Sequence, residues 1–148
     1  MKTTIAIITF ILIGFAVKAM PGDESISYVK AGDKVYFGED LKVGLFNTKV
    51  ITTDGTAIKI PNRDVKSYMH DSKLFELLPS IGENRKPNGY KLMEYITSRS
   101  GLKLYRSNCY DGKDTWNDYL VYKDGQFYLR IDQENASSTL PFFGIEVL

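Results

Sequence analysis

Two side chains suited to nucleophilic or acid–base chemistry occur only once each in the chain, His70 and Cys109. A histidine-dependent hydrolase would have to use His70, because the nucleophile needs a nearby base. His70 lies in a polar stretch between Met69 and Asp71, which favours a solvated turn residue. No nucleophile motif surrounds Cys109, so a structural thiol is favoured there over a redox or intermolecular role. The sequence therefore predicts no catalytic residue.

Metal ligands are similarly sparse. Zinc needs three or four closely spaced Cys, His or carboxylate ligands, and one histidine with one distant cysteine does not supply them. Calcium is the better candidate, because one polar stretch carries several oxygen ligands: Asp111, Asp114, Asn117 and Asp118. Their spacing is not that of an EF-hand. An acidic surface loop is the favoured interpretation, and we predict neither metal nor cofactor.

Paired carboxylates would suit a glycoside hydrolase, which needs two of them facing across a cleft. Four glutamates are candidates: Glu39, Glu76, Glu94 and Glu146. The chain has 18 acidic residues, so carboxylate pairs alone are not specific. The chain also lacks a Gly-rich phosphate loop and a nucleophile elbow. A small hydrolase acting on glycan or peptidoglycan is kept as the alternative function.

Aromatic side chains support binding better than catalysis. The chain has 10 Tyr, 8 Phe and one Trp. Tyr and Trp combine a large contact area with a polar group, which suits sugar and protein surfaces. We predict a ligand-binding site at Trp116, Tyr110 and Tyr119, with Trp116 and Tyr110 in a polar loop that spans residues 108–118. The open alternative is that these aromatics occupy ordinary half-buried strand faces.

The net charge of +1 comes from basic residues interspersed with acids. This argues against general nucleic-acid binding, which needs clustered Lys and Arg against phosphates. No amphipathic basic helix suggests attachment to a membrane surface. A single cysteine cannot form an internal disulfide, so packing must hold the domain together. The expected partner is an envelope protein or a glycan.

The N-terminus has the pattern of a secretory signal peptide. Lys2 precedes an almost wholly apolar run over residues 5–17, and Val17 and Ala19 occupy the positions that a signal peptidase recognises. We predict cleavage after Ala19, or else after Met20. The run is shorter than the roughly 20 residues of a membrane span. The expected product is one β-rich domain over residues 20–148, without a transmembrane segment, in the periplasm or outside the cell.

Strand and turn patterns dominate the remaining sequence. Residues 119–131 predict a hairpin with a type I′ turn at Asp124-Gly125, because both turn positions need positive φ. The expected register pairs Tyr122 with Phe127 and Leu120 with Leu129. Residues 50–60 predict a second hairpin turning at Asp54-Gly55, with Ile51 opposite Ile58.

Other segments are less regular. Residues 64–69 fit a short helix or a strand, and the strand is favoured; residues 80–89 predict a loop. The apolar residues 140–148 predict a last strand, which is the first candidate for pairing with a partner through an open sheet edge. About nine strands are expected. The fold class is mainly β, an antiparallel meander forming a small sandwich or barrel with at most one or two short helices.

Five strings carry a resemblance across most of this domain: KVGLFNTKVITTDGT (42–56), IPNRDVKSYM (60–69), KLFELLP (73–79), RSGLKLYR (99–106) and YKDGQFYL (122–129). Together they resemble a group of small exported proteins of unassigned function from Gram-negative, Bacteroidetes-like bacteria. The resemblance implies an envelope location and a β-rich fold, and it brings no site residue. The expected function is that of an exported, non-enzymatic β-domain that binds an envelope protein or a surface ligand through aromatic residues.

Overall fold

The computed structural model of the chain describes residues 27–82, 84 and 86–146. The predicted signal peptide over residues 1–19 lies outside the described residues. The described elements are eleven strands, a 3₁₀ helix (Asn62–Asp64) and one α-helix, α1 (Ala136–Phe142). The strands are β1 (Ser27–Ala31), β2 (Lys34–Gly38), β3 (Asp40–Val43), β4 (Asn47–Ile51), β5 (Ala57–Pro61), β6 (Val65–His70), β7 (Lys73–Ile81), β8 (Pro87–Arg99), β9 (Leu102–Tyr110), β10 (Thr115–Lys123) and β11 (Gln126–Ile131).

The strands form two antiparallel sheets. The larger sheet has eight strands in the order β11-β10-β9-β8-β7-β6-β1-β2, and the smaller has the order β3-β4-β5. Strands β6 to β11 are consecutive neighbours, so the predicted mainly β, antiparallel meander is confirmed. Eleven strands form where about nine were expected, and β7, β8, β9 and β10 extend into the predicted loops 80–89 and 108–118. No helix in the described part of the chain is long and apolar enough to cross a membrane.

The large sheet curls, so that the end of β7 meets β10 and β11. Tyr122 Oη donates a hydrogen bond to the carbonyl oxygen of Pro79 over 2.6 Å, and Arg130 Nη2 donates to that of Ile81 over 3.2 Å. In a flat sheet β7 and β10 would be about 14 Å apart, three strand spacings. These two contacts therefore define a concave face.

The concave face is filled by one apolar core. Its buried members are Leu78, Met93, Tyr105, Leu120 and Tyr122. The rings of Tyr105 and Tyr122 meet edge to face at 5.5 Å between centroids, an arrangement that aromatic pairs prefer. Burying each such side chain contributes roughly 2 kcal/mol. The curl is thus held by packing and not by a disulfide.

The small sheet covers one end of the opposite, convex face. Val29 and Tyr68 of the large sheet share a buried core with Leu41, Val50 and Ile60 of the small sheet. The close approach requires a glycine at position 38. A Cβ atom on Gly38 would lie 2.5 Å from the carbonyl oxygen of Ile51.

The C-terminal segment covers the other end of the convex face with α1, so the predicted strand is wrong over residues 140–146, and residues 147 and 148 lie outside the described part of the chain. Phe143, directly after α1, is buried against Leu104 and Val121. Arg99 Nη1 donates a hydrogen bond to the carbonyl oxygen of Phe142 over 2.6 Å. A short apolar run fits a helix as well as a strand, and here the helical turn brings Phe143 onto the sheet.

The hairpin of β10 and β11 has the predicted turn but not the whole predicted register. Asp124 and Gly125 have φ of 50° and 75°, as a type I′ turn requires. Tyr122 pairs with Phe127 as expected. A bulge then shifts the register, so Leu120 pairs with Arg130 and Val121 with Leu129. The predicted pairing of Leu120 with Leu129 is wrong because Tyr128 is the extra residue of the bulge.

The β4–β5 hairpin has a longer turn than predicted. Val50 pairs with Ile58 and Ile51 with Ala57, so the expected opposition of Ile51 and Ile58 is wrong. The Asp54 carboxylate accepts hydrogen bonds from Thr52 Oγ1 and the Thr56 N–H. These bonds lower the pKa of Asp54 to about 2. The favoured strand over residues 64–69 is confirmed, after a 3₁₀ helix that ends at Asp64.

Candidate ligand-binding groove

The predicted site residues Trp116 and Tyr110 lie at the end of the β9–β10 ladder, where the connecting loop is only residues 111–114. The predicted loop over residues 108–118 is therefore wrong, because Tyr110 lies in β9 and Trp116 in β10. Tyr110 pairs with Thr115, and Cys109 pairs with Trp116. Successive residues of a strand point to opposite faces, so Trp116 and Tyr110 do not form one patch.

Trp116 belongs to the concave side of the sheet. Its side chain is 43% exposed, and its Nε1 donates to Asp118 Oδ1 over 3.2 Å. Asp118 Oδ2 lies 3.7 Å from Arg130 Nη2 and 3.7 Å from Cys109 Sγ. Trp116 thus borders a polar cluster at the open end of the concave core.

Tyr119 lies on the convex face and is half-buried against the core that Phe143 completes. It pairs with Arg106 across β9 and β10, and its hydroxyl helps to raise the pKa of Arg106, after the larger effect of the hydrogen bonds from Arg106 to Glu94. These contacts make Tyr119 a supporting residue of the convex face. Its predicted role in ligand binding, like those of Trp116 and Tyr110, stays a prediction.

The structure keeps His70 and Cys109 apart. The His70 ring lies 3.4 Å from Ser27 Oγ and 3.4 Å from Asp71 Oδ2. The polar neighbours of Cys109 Sγ are instead side chains of Lys91, Ser107 and Asp118. A Cys–His pair is therefore not formed by these two residues.

Two of the carboxylates considered for the alternative function, Glu76 and Glu94, do not face one another. Glu76 pairs with Met93 and Glu94 with Phe75, so the two glutamates point to opposite faces of the large sheet. On the concave face, Glu76 Oε2 accepts a hydrogen bond from Tyr105 Oη. On the convex face, Glu94 Oε2 accepts bonds from Arg106 Nε at 3.0 Å and Nη2 at 2.6 Å. This geometry does not support Glu76 and Glu94 as a hydrolytic pair.

The residues considered for calcium are also separated. Asp111 Oδ1 accepts the backbone N–H groups of Lys113 and Asp114, and these bonds lower the pKa of Asp111. Asn117 and Asp118 are neighbours on β10 and point to opposite faces. Within the described ranges, no three His, Cys, Asp or Glu side chains converge on a point that could hold a metal ion.

An open groove crosses the convex face beside the 3₁₀ helix, in the part that neither the small sheet nor α1 covers. Leu77 and Leu92 pair across β7 and β8 and form its floor. Tyr90, which pairs with Pro79, stands at its rim and is 72% exposed. The groove has a volume of about 680 Å³.

Basic side chains line the other side of this groove. Arg63 comes from the 3₁₀ helix and Lys66 from β6. Asp64 Oδ1 lies 3.8 Å from Arg63 Nε, but the Arg63 side chain remains 86% exposed and available. No carboxylate lines the groove among the residues that the structure describes. An apolar floor, a tyrosine rim and a cationic wall therefore meet here.

A second exposed tyrosine extends this face. Tyr110 is 68% exposed. It lies four residues beyond Arg106 on β9, while Tyr90 lies four residues before Glu94, the partner of Arg106 on β8. No register shift intervenes on either strand, so both tyrosines point to the convex side. Of the predicted aromatics, Tyr110 and Tyr119 lie on the same face as the groove, and Tyr110 is the exposed one.

The groove could not be located from sequence patterns alone. Leu77, Leu92 and Tyr90 come together only through the register of β7 and β8, and the segment with Arg63 reaches them only through the tertiary fold. The usable signal was the abundance of tyrosine, and that signal did not separate exposed Tyr90 from buried Tyr105.

Comparison with known proteins yields no relative: no family model, curated protein or solved structure matches the chain. The resemblance to small exported proteins therefore stays a prediction.

Proposed function

We propose that the protein is an exported, non-enzymatic β-domain that binds an anionic surface ligand, of the acidic glycan class, in the groove beside Tyr90. The observation that supports this proposal is the exposed ring of Tyr90 above an apolar floor, opposite Arg63 and Lys66. A tyrosine face can stack on a sugar ring while its hydroxyl hydrogen-bonds. Guanidinium and ammonium groups bind carboxylate or phosphate.

The openness of the groove favours binding over hydrolysis. Enzymes enclose the reacting groups and carry acids with perturbed pKa values. Here Glu94 is paired with Arg106, and Glu76 lies on the other face of the sheet. An extended glycan could lie across the convex face from Tyr90 towards Tyr110 without having to enter a deep pocket.

Affinity electrophoresis tests the ligand class. Gels containing polygalacturonate, which is carboxylated, should retard the protein more than gels containing neutral dextran. Tyr90→Ala should weaken the retardation by roughly fivefold or more, because exposed tyrosines dominate such contacts. Tyr128→Ala is the matched control, since Tyr128 is also exposed but lies on the β11 bulge.

The cationic wall has its own variant. Arg63→Gln with Lys66→Gln should weaken binding to polygalacturonate and reduce its dependence on salt. Lys73→Gln with Lys123→Gln removes two exposed charges outside the groove lining and should leave binding unchanged. Equal retardation of all variants would contradict the proposed groove.

An envelope protein remains the other form of partner. A pull-down from an envelope extract of the host, with wild type, Tyr90→Ala and Trp116→Ala, separates the two aromatic regions. A retained protein lost only with Tyr90→Ala would keep the binding function and change the ligand class to a protein. Determining the N-terminal residue of the protein isolated from cells tests the proposed export and cleavage after Ala19.

A further inference from the structure

The β3–β4 hairpin ends in two adjacent exposed apolar side chains. Leu45 is 90% exposed and Phe46 is 81% exposed, the two highest values among the large apolar residues of the described chain. Scattered exposed apolar residues are ordinary. Two of them together at the end of a hairpin form a protruding apolar tip, named here the Leu45–Phe46 tip.

One residue, Asn62, makes hydrogen bonds to the backbone of this tip. Asn62 Nδ2 donates to the carbonyl oxygens of Gly44 at 2.7 Å and Leu45 at 3.1 Å. The Asn62 N–H donates to the carbonyl oxygen of Phe46 at 3.0 Å. Asn62 Oδ1 accepts from buried Thr48 Oγ1 at 2.9 Å. The tip is therefore pre-organised, and exposing its apolar side chains is built into the fold.

A row of lysines crosses the outer face of the same small sheet. Lys42 pairs with Lys49, and Lys49 pairs with Lys59, so three ammonium groups stand side by side on neighbouring strands. All three residues are exposed. Within the described part of the chain, none of them lies within ion-pair distance of a carboxylate. Like charges directly opposite one another destabilise a sheet, and an anionic surface would relieve that repulsion.

We propose that the Leu45–Phe46 tip and the Lys42–Lys49–Lys59 row together dock the protein onto an anionic phospholipid surface. The tip inserts its two apolar side chains among the acyl chains, and the lysines contact the headgroups. A lipid surface suits such a tip better than a protein does. The acyl region accepts an apolar side chain without a matching pocket, whereas a protein partner must supply one. Basic residues beside inserted apolar ones are the usual basis of binding to anionic membranes.

This surface is distinct from the Tyr90 groove, although Asn62 borders both. The proposal does not depend on the proposed function. Tyr90→Ala should leave lipid binding unchanged, and removing the tip should leave glycan binding unchanged. Failure of either proposal can therefore be recognised separately.

Vesicle flotation tests the proposal with the protein as purified from expressing cells and its N-terminus determined by mass spectrometry. Vesicles of phosphatidylcholine mixed with phosphatidylglycerol should carry the protein, and vesicles of phosphatidylcholine alone should carry far less. A retained apolar leader would bind both vesicle types in every variant and hide the effect of the tip, so the assay uses only protein whose N-terminus lies after residue 19.

Two variants locate the binding surface. Leu45→Ser with Phe46→Ser should reduce binding to the vesicles by about tenfold or more, because the two apolar side chains that would be buried in the lipid are removed. Lys42→Gln, Lys49→Gln and Lys59→Gln together should abolish the preference for phosphatidylglycerol. The matched controls are Val35→Ser with Phe37→Ser on the exposed β2 edge, and Lys73→Gln with Lys113→Gln and Lys123→Gln. Circular dichroism confirms that each variant is folded.

The opposite results would overturn the proposal. These are absence of flotation by wild type, flotation that survives the tip variant, or equal binding to neutral and anionic vesicles. Binding to immobilised polyglutamate in place of vesicles would also overturn it and would assign the lysine row to an acidic protein.

Discussion

Tyr122 donates its hydroxyl to the backbone carbonyl of Pro79 across two intervening strands. Because Tyr122 is fully buried, this bond closes the curl of the sheet at the centre of its concave core. The same burial raises the pKa of Tyr122 to about 12. The free energy of unfolding should therefore depend on pH in the alkaline range.

The expected sign follows from proton linkage. Between pH 10 and about 12, Tyr122 loses its proton in the unfolded chain but keeps it in the folded one. Below pH 10 the contribution of protonated Tyr122 to stability is fully present. Above pH 10 the free energy of unfolding should fall by about 1.4 kcal/mol per pH unit because of this group. Burial, followed by the hydrogen bond to Glu76, also raises the pKa of Tyr105, which should act in the same direction.

Urea unfolding of wild type and Tyr122→Phe over this pH range measures the effect. The variant should be about 1 kcal/mol less stable near neutral pH, since the bond to Pro79 is lost. It should also lose less stability than wild type as pH rises. Parallel pH profiles would show that Tyr122 does not titrate as the structure requires.

Gly38→Ala should destabilise the protein by about 2 kcal/mol or more, because the new methyl group would overlap the carbonyl oxygen of Ile51 and force the sheets apart. Gly82→Ala is the control, since a Cβ atom there would make ordinary contacts of 3.4 Å or longer. Thermal unfolding compares the two. Equal melting temperatures would contradict the close approach at Gly38.

Asn62→Ala should lower the free energy of unfolding by roughly 2 kcal/mol, because Thr48 would lose its partner in a buried position. Amide hydrogen exchange in residues 44–47 should become faster, since two side-chain hydrogen bonds to this turn disappear. Asn62→Asp is a useful comparison. It keeps an acceptor for Thr48 but cannot donate to Gly44 and Leu45, so it should recover part of the stability and none of the protection.

Trp116→Ala should change the free energy of unfolding by about 1 kcal/mol or less, because its side chain is half-exposed and outside the buried cores. Tyr105→Ala should cost at least about 3 kcal/mol, since Tyr105 is buried in the concave core. Chemical denaturation of both variants checks the contrast. A loss for Trp116→Ala as large as that for Tyr105→Ala would make Trp116 a core residue.

Local rules explain which elements the sequence predicted. The Asp124-Gly125 turn needs only two residues that tolerate positive φ, and both are present. The flanking residues alternate in a way that suits a pleated strand. Such features depend on neighbours along the chain, so the antiparallel, mainly β class could be predicted before any contact was known.

Longer-range packing explains the errors. Tyr128 becomes the extra residue of a bulge because Leu129 pairs with Val121 on the face that Phe143 covers. The segment after Ala136 forms a helix, which places Phe143 against Leu104 and Val121 on that face. The composition of residues 140–146 also suits a strand. The polar residues around Trp116 remain in strands because β9 and β10 continue their ladder to Tyr110 and Thr115.

By itself the sequence determined the β-rich class, the tight turn at Asp124-Gly125 and the abundance of tyrosine. Only the tertiary structure decided which tyrosines are available, since strand register buries Tyr105 and exposes Tyr90. It also decided that apolar Leu45 faces solvent, although composition alone would predict burial. The physical reason is that exposure depends on what packs above a residue, and Asn62 holds this turn where no described element covers it.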